Sequence, residues 1–287
     1  MSGAAEQFDA VIVGSGFGGA FAAWVLVRAG WRVLMLERGG WARRDAADWD
    51  PRAVLIEQRY QGRSPLLVKQ YGASQFAAMP CNELVGGQSV LYGGASLRLR
   101  PTDFARWPFS YAALEPYYKQ AEELLGVHGQ AGADPGEPPR TGSYPHPAAA
   151  LSAPAERLFR AAQRAGLRPF PLPLAINFSD AGRPLCVRCE TCDGFPCKLA
   201  AKNDAAVALL APLAAQGLQI RSGTIAASVA VRAGRVCAVN CVDGATGRRE
   251  VVRGRQDHHA AAHHLAAPCT ARRSSCVRSW ARARSGT

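Results

Sequence analysis

The stretch from Phe8 to Gly40 constrains this chain more than any other. An apolar run, Ala10-Val11-Ile12-Val13, enters the turn Gly14-Ser15-Gly16-Phe17-Gly18-Gly19; an apolar helical stretch follows, and Val33-Leu34-Met35-Leu36 leads to Glu37. Periodicity and punctuation together predict a strand, a helix and a second strand. In such a unit Gly14 allows the tight turn, Gly16 lets the backbone approach a pyrophosphate, and Gly19 lets the helix pack on the strand, so that phosphate meets the helix N-terminus. Glu37 lies 23 residues after Gly14, where a carboxylate accepts hydrogen bonds from the hydroxyls of an adenosine ribose and repels a 2′-phosphate. A glycine-rich turn between two core strands would explain the apolar flanks and leave three glycines and Glu37 without a reason.

At 287 residues and 48% apolar composition the chain has room for one large domain or two, with a substantial core. No apolar run reaches the length of a membrane span, and the first residues carry no basic segment followed by an apolar one, so a cytoplasmic protein is expected. The net charge of +12 would suggest a nucleic-acid partner if it were clustered on a folded face. It is not: six arginines against Asp257 beyond Gly254 supply +5, and the rest is dispersed. Neither nucleic-acid binding nor a membrane span is expected.

Further along, residues 41 to 75 are mixed in character, as in a surface excursion. A second glycine-rich turn, Val85-Gly86-Gly87-Gln88-Ser89-Val90-Leu91-Tyr92-Gly93-Gly94, could press its backbone against a flat ligand or be a plain turn. Ser110 reads as the N-cap of a helix whose apolar positions run from Leu114 to Leu125, with Gly126 closing it. Residues 128 to 150 are rich in Pro, Gly and Ala, a loop signature, and a helix is predicted from Ala155 to Ala165. Another is predicted from Leu199 to Gln216, then a short strand at Leu218 to Ile220, a hairpin turning at Ala233-Gly234, and a turn at Asp243-Gly244.

Nine cysteines without an export signal point to thiols or a metal site before disulfides. Four of them, Cys186, Cys189, Cys192 and Cys197, form a C-x2-C-x2-C-x4-C run similar to a ferredoxin-type iron–sulfur loop, although the last spacing is x4 and Pro196 precedes Cys197. Structural thiols are the competing reading, and zinc the third, since zinc knuckles usually stand further apart.

Taken in order, four segments resemble the glucose-methanol-choline (GMC) flavin oxidoreductases: the opening unit with Glu37, the turn from Val85 to Gly94, Trp107-Pro108 with the Tyr117-Tyr118 helix, and Cys197 through Lys202-Asn203. The resemblance spans about Phe8 to Val252. It implies an α/β, Rossmann-like FAD-binding domain over residues 1–126 and 186–254, a linker and partial substrate domain over 127–185, and an aberrant or disordered tail over 255–287. Carried over by position, Gly14, Gly16 and Gly19 would hold the FAD pyrophosphate and Glu37 the ribose. Gly87, Ser89, Tyr92 and Gly93 would lie along the pyrophosphate and isoalloxazine, and the strand at Ile225-Ala226 would meet the adenine. Tyr92 stands where many members carry Asn. No histidine lies near this turn to attach the flavin, so FAD is expected to bind noncovalently.

The implied reaction oxidises the CH–OH group of a small alcohol, sugar or sterol-like donor, with hydride passing to flavin N5 and onward to an external acceptor or cytochrome. The family's catalytic histidine belongs to a C-terminal half not found in this sequence, so no catalytic residue is assigned. Residues 255–287, with His258, His259, His263 and His264, have the look of a frameshift or truncation beginning near Gly254, and the chain alone is expected to be inactive. The alternative function is a noncatalytic flavin or iron–sulfur electron-transfer module.

Overall fold

The computed structural model describes residues 8–62, 66–68, 75–233 and 235–254. The segment 255–287, with its four histidines, lies outside the described residues, as does Gly234. In chain order the elements are β1 (Ala10–Val13), α1 (Phe17–Arg28), β2 (Val33–Leu36), β3 (Leu66–Val68), β4 (Ala77–Met79), α2 (Tyr111–Leu124), β5 (His128–Gly129), β6 (His146–Pro147) and α3 (Ala153–Arg164). They continue with α4 (Ala211–Ala215), β7 (Gln219–Arg221), β8 (Thr224–Arg232), β9 (Arg235–Asp243) and β10 (Arg249–Val252). The chain divides into two compact units, one made of Met1–Trp41, Tyr60–Gly87 and Leu213–Thr287, the other of Ala42–Arg59 and Gln88–Pro212.

In the first unit β1 and β2 run parallel, Ala10 opposite Val33 and Val13 opposite Leu36, with α1 as the crossover; β7 extends the sheet on the far side of β2. Every residue of β1 and β2 is buried, as the continuous apolar runs require of parallel strands covered on both faces. An antiparallel sheet, β8–β9–β10, follows. One core joins Phe8, Val11, Val13, Leu34 and Leu36 to Val239, Cys241 and Val252, with Ala226 and Val229 at its margin. Burial of a side chain such as Leu34 contributes about 2 kcal/mol. The β8–β9 hairpin sits where the sequence predicts it. The turn into β10 is held by Asp243, whose Oδ1 accepts from the Ala245 and Thr246 backbone N–H groups and from the Thr246 hydroxyl.

The second unit carries α2 and α3 close to their predicted positions. Ser110 occupies the N-cap of α2, but its hydroxyl caps nothing. A buried ionic network fastens α2 instead. Arg98 forks onto both Glu122 oxygens at 2.7 and 2.8 Å and donates to Glu115 at 3.0 Å and to the Tyr111 hydroxyl at 3.1 Å, while Arg140 reaches Glu122 at 2.6 Å. The Arg98 side chain is 2% exposed, and so geometric pairing of this kind decides whether its burial stabilises or costs.

The predicted helix from Leu199 to Gln216 starts late. Residues 199–204 are irregular, and helical structure begins with a π-helical turn at Ala206–Leu210 before α4. The reason lies in three consecutive buried polar residues, Lys202, Asn203 and Asp204, whose side chains are committed to tertiary partners. Asp204 then opens the helix by accepting the Val207 N–H at 3.0 Å.

His128 and His146 stack, ring centroids 4.6 Å apart, and with Asn177, Arg183 and Asn203 they line a cavity of about 250 Å³. His128 is 4% exposed, and its Nδ1 donates to the Pro147 carbonyl at 2.9 Å. Burial, reinforced by His146, pushes the His128 pKa below the ordinary 6.5. In the unfolded chain this imidazole takes up a proton near pH 6.5, whereas the folded one does so only at lower pH. Stability is therefore lost as pH falls through 6.5 and levels off below the folded pKa. Urea unfolding midpoints between pH 7.5 and 5.5 should fall with pH, with a shallower slope in His128→Gln; equal slopes would contradict the assignment.

Candidate nucleotide site

The first unit assembles its site from the turn between β1 and α1. Gly14 takes φ +90°, and its N–H donates to the Leu36 carbonyl at 2.8 Å, which ties the turn to the end of β2. A Cβ on Gly19 would stand 2.0 Å from the Gly14 carbonyl oxygen, so glycine there is a packing requirement. Gly16 differs. It is the N-cap of α1, no side chain caps the helix, and a Cβ on it would meet nothing within 4 Å. Space above Gly16 and an uncapped helix N-terminus form a cradle suited to a phosphate group.

Glu37 stands at the end of β2, 9% exposed, its backbone N–H donating to Arg221 and its carbonyl accepting from Thr224. Its Oε1 accepts from Gly39 N at 2.8 Å, and its Oε2 accepts from Ser15 N at 3.0 Å and from the Ser15 hydroxyl at 2.5 Å. The Ser15 hydroxyl in turn accepts from Gly86 N at 2.9 Å. Gly87, φ +57°, lies so close to the first turn that its Cβ would be 3.1 Å from the Gly16 Cα. Gly14, Gly16, Gly19, Glu37 and Gly87 are thus brought together. Ala226 sits on β8 opposite Cys241, beside a register shift between Ala226 and Ser228, two residues after the Thr224 that bonds Glu37.

Ser89, Tyr92 and Gly93 belong to the second unit. Ser89 is buried, its Oγ accepting from Ala205 N at 2.9 Å. The Tyr92 hydroxyl donates to the Asn203 carbonyl at 2.9 Å, and burial raises its pKa. Gly93 has room for a methyl group, the nearest atom being the Asp193 Cβ at 3.5 Å, whereas the neighbouring Gly94 would strike Ile176. A residue without a role in the sequence reading governs this region. Lys202, wholly buried, donates from Nζ to the carbonyls of Tyr92 at 2.6 Å and of Cys192 and Phe195 at 2.7 Å. Burial lowers its pKa, and the charge of Asp204 opposes that shift.

The expectation of an iron–sulfur or zinc site at Cys186, Cys189, Cys192 and Cys197 is not supported. Among the described residues no three His, Cys, Asp or Glu side chains come together as a set that could hold a metal ion. The thiols have other partners: Cys189 Sγ lies 3.1 Å from the Thr191 hydroxyl, and Cys186 Sγ accepts from Arg188 N at 3.4 Å. Burial pushes the Cys186 and Cys192 thiols up. What the loop offers instead is backbone carbonyls, to Lys202. All seven cysteines of the described residues are free.

The family model described as GMC oxidoreductase matches residues 8–278. The 6‴-hydroxyparomomycin C oxidase of Streptomyces lividus is 38% identical over 265 residues, covering 86% of this chain and 47% of that protein. The paromamine 6′-oxidase of Streptomyces fradiae is 35% identical over 286 residues, covering 94% of this chain and 49% of that protein. Among solved structures, pyridoxine 4-oxidase from Mesorbium loti superposes with a TM-score of 0.55 at 20% identity, over 86% of this chain and 48% of that one. The chain belongs to the GMC oxidoreductases, and its fold is that of their N-terminal FAD-binding domain. It spans about half the length of the curated relatives it matches. Among the described residues no helix is long and apolar enough to cross a membrane.

Proposed function

We propose that this chain binds FAD noncovalently and is the cofactor-holding part of an oxidoreductase acting on the CH–OH group of a small hydroxylated donor. The observation that carries the reading is the contrast at the first turn: Gly19 is demanded by packing, Gly16 is not, and Glu37 is fixed beside it. A glycine that nothing in the fold requires, at an uncapped helix N-terminus, fits a ligand whose phosphates approach the backbone. In this reading the first turn of α1 and Gly87 take the pyrophosphate, and Glu37 accepts from the ribose with the lone pair that Gly39 leaves on Oε1. Ala226 would offer its backbone to the adenine. For Ser89, Tyr92 and Gly93 the support is the family resemblance, together with a Gly93 that packing does not demand.

FAD supplies hydride acceptance when bound. The protein's part is to hold the nucleotide half of the cofactor rigidly and to keep bulk away from it. Relatives named for oxidation of paromamine and of 6‴-hydroxyparomomycin C support a polyhydroxylated donor, and one named 2-methyl-1,2-propanediol dehydrogenase supports a small diol equally well. Hydride transfer from such a donor, and passage of electrons to an external acceptor, belong to the same proposal. The test is titration of the purified 287-residue chain with FAD, followed through flavin fluorescence and retention after gel filtration. Stoichiometric retention is expected. A chain that is folded by circular dichroism and binds no FAD would sink the reading.

A further inference from the structure

Ser15 occupies the position between the first two glycines of the turn, which the G-x-G-x-x-G pattern leaves unspecified. Here it is fully buried and bonded on three sides. Its N–H and its hydroxyl both donate to Glu37 Oε2, and the same hydroxyl oxygen accepts from Gly86 N. A hydroxyl has one proton and two lone pairs, so donation to the carboxylate and acceptance from the amide use it in a single orientation. The Leu84 carbonyl, 3.4 Å away, is left as a secondary contact.

Three consequences follow from this one atom. The Glu37 carboxylate is locked in rotation, because Oε2 is held by Ser15 while Oε1 is held by Gly39. The Gly86–Gly87 turn is fastened to the first turn, which keeps Gly87 against Gly16. Oε2 spends both of its lone pairs on Ser15, so the direction left open lies on Oε1, beside the single bond from Gly39. We infer that Ser15 is a positioning residue for nucleotide binding: acting through Glu37, it presets the carboxylate toward a ribose diol and ties both glycine turns into one cradle. The inference rests on the FAD reading given above and assigns the geometry of its ribose end.

A double-mutant cycle tests it, with FAD affinity measured on the full chain for the wild type, Ser15→Ala, Glu37→Gln and the double variant. Loss of a charge-assisted bond that orients the acceptor should weaken FAD by about tenfold to a hundredfold in Ser15→Ala. Because Ser15 acts through Glu37, adding Ser15→Ala to Glu37→Gln should cost less than threefold more. Competition by ADP and 2′-deoxy-ADP gives a readout that general loosening of the fold does not move. The wild type should prefer ADP, and Ser15→Ala should lose most of that preference. Ser15→Thr, which keeps the hydroxyl, should restore it wherever its thermal midpoint matches the wild type. Additive effects in the cycle, or undiminished discrimination between the two competitors in Ser15→Ala, would overturn the inference. A wild-type chain that binds no FAD would instead overturn the cofactor reading itself, which separates the two failures.

Discussion

Gly16→Val is expected to leave the fold almost untouched and to abolish FAD binding. No atom lies within 4 Å of a Cβ at this position, and its φ of −63° is open to any L-residue, so the Cβ itself meets no steric resistance from the protein. The loss of a favourable N-cap costs below about 1 kcal/mol. The isopropyl group would fill the space over the helix N-terminus, where the pyrophosphate is proposed to lie, and affinity should fall by at least about a hundredfold, the scale of a blocked phosphate site. Gly19→Ala should behave oppositely. Its Cβ would sit 2.0 Å from the Gly14 carbonyl oxygen and 3.3 Å from the Ile12 side chain, so α1 must move off β1, at a cost of about 1–3 kcal/mol in stability. Urea unfolding together with FAD titration on both variants separates them. A Gly16→Val chain that still binds FAD stoichiometrically would remove the main support for the proposed site.

Lys202→Met should be among the most destabilising single changes in the second unit. The ammonium gives one proton to each of three carbonyls, on Tyr92, Cys192 and Phe195, in a place with no solvent exposure. Methionine keeps the bulk and leaves three acceptors without their donor, at a cost of about 3–5 kcal/mol. The thermal midpoint should drop by about 6–20 °C on the scale of about 2–4 °C per kcal/mol for a chain of this size. Probes attached near the cysteine-rich loop should also report its release, since two of the three carbonyls belong to it. A shift equivalent to less than about 1 kcal/mol would mean that water replaces the ammonium, and that the loop is held by other contacts.

The parts of this protein that were legible in its sequence are those written in local pattern. The opening strand, helix and strand follow from continuous apolar runs and glycine spacing, and the β8–β9 hairpin follows from alternation around Ala233-Gly234. Glu37 was legible because its distance from Gly14 is set by the length of one helix and one strand. What escaped was fixed by partners remote in sequence. Ser15 gains its role from Glu37 and from Gly86, 71 residues away, and nothing in the neighbours of a serine inside a glycine turn announces that. Lys202 enters the sequence reading only within the segment from Cys197 to Asn203, and its role comes from the carbonyls of residues 92, 192 and 195 that surround it. The late start of the helix before α4 has the same origin, because helical periodicity in 199–205 was outweighed by buried polar side chains with distant obligations. The cysteine run left structural thiols, a cluster and zinc open on spacing alone; in the structure positive φ angles at Arg188 and Glu190 bend the loop, and Cys186 and Cys189 bond locally.

The pairing of Leu34 with Gln219, and of Phe8 with Gly254, sets the order in which this protein can be made. On a ribosome, β1, α1 and β2 emerge early, yet the third strand of their sheet is synthesised only after the whole second unit has appeared. Until then the edge of β2 away from β1, along Leu34 to Leu36, is an apolar strand edge open to any passing chain. The second unit, assembled from one short stretch and one long continuous stretch, is complete in sequence before β7 and can fold first. A nascent chain arrested before β7 is therefore expected to engage chaperones, and one extended past β10 to leave them.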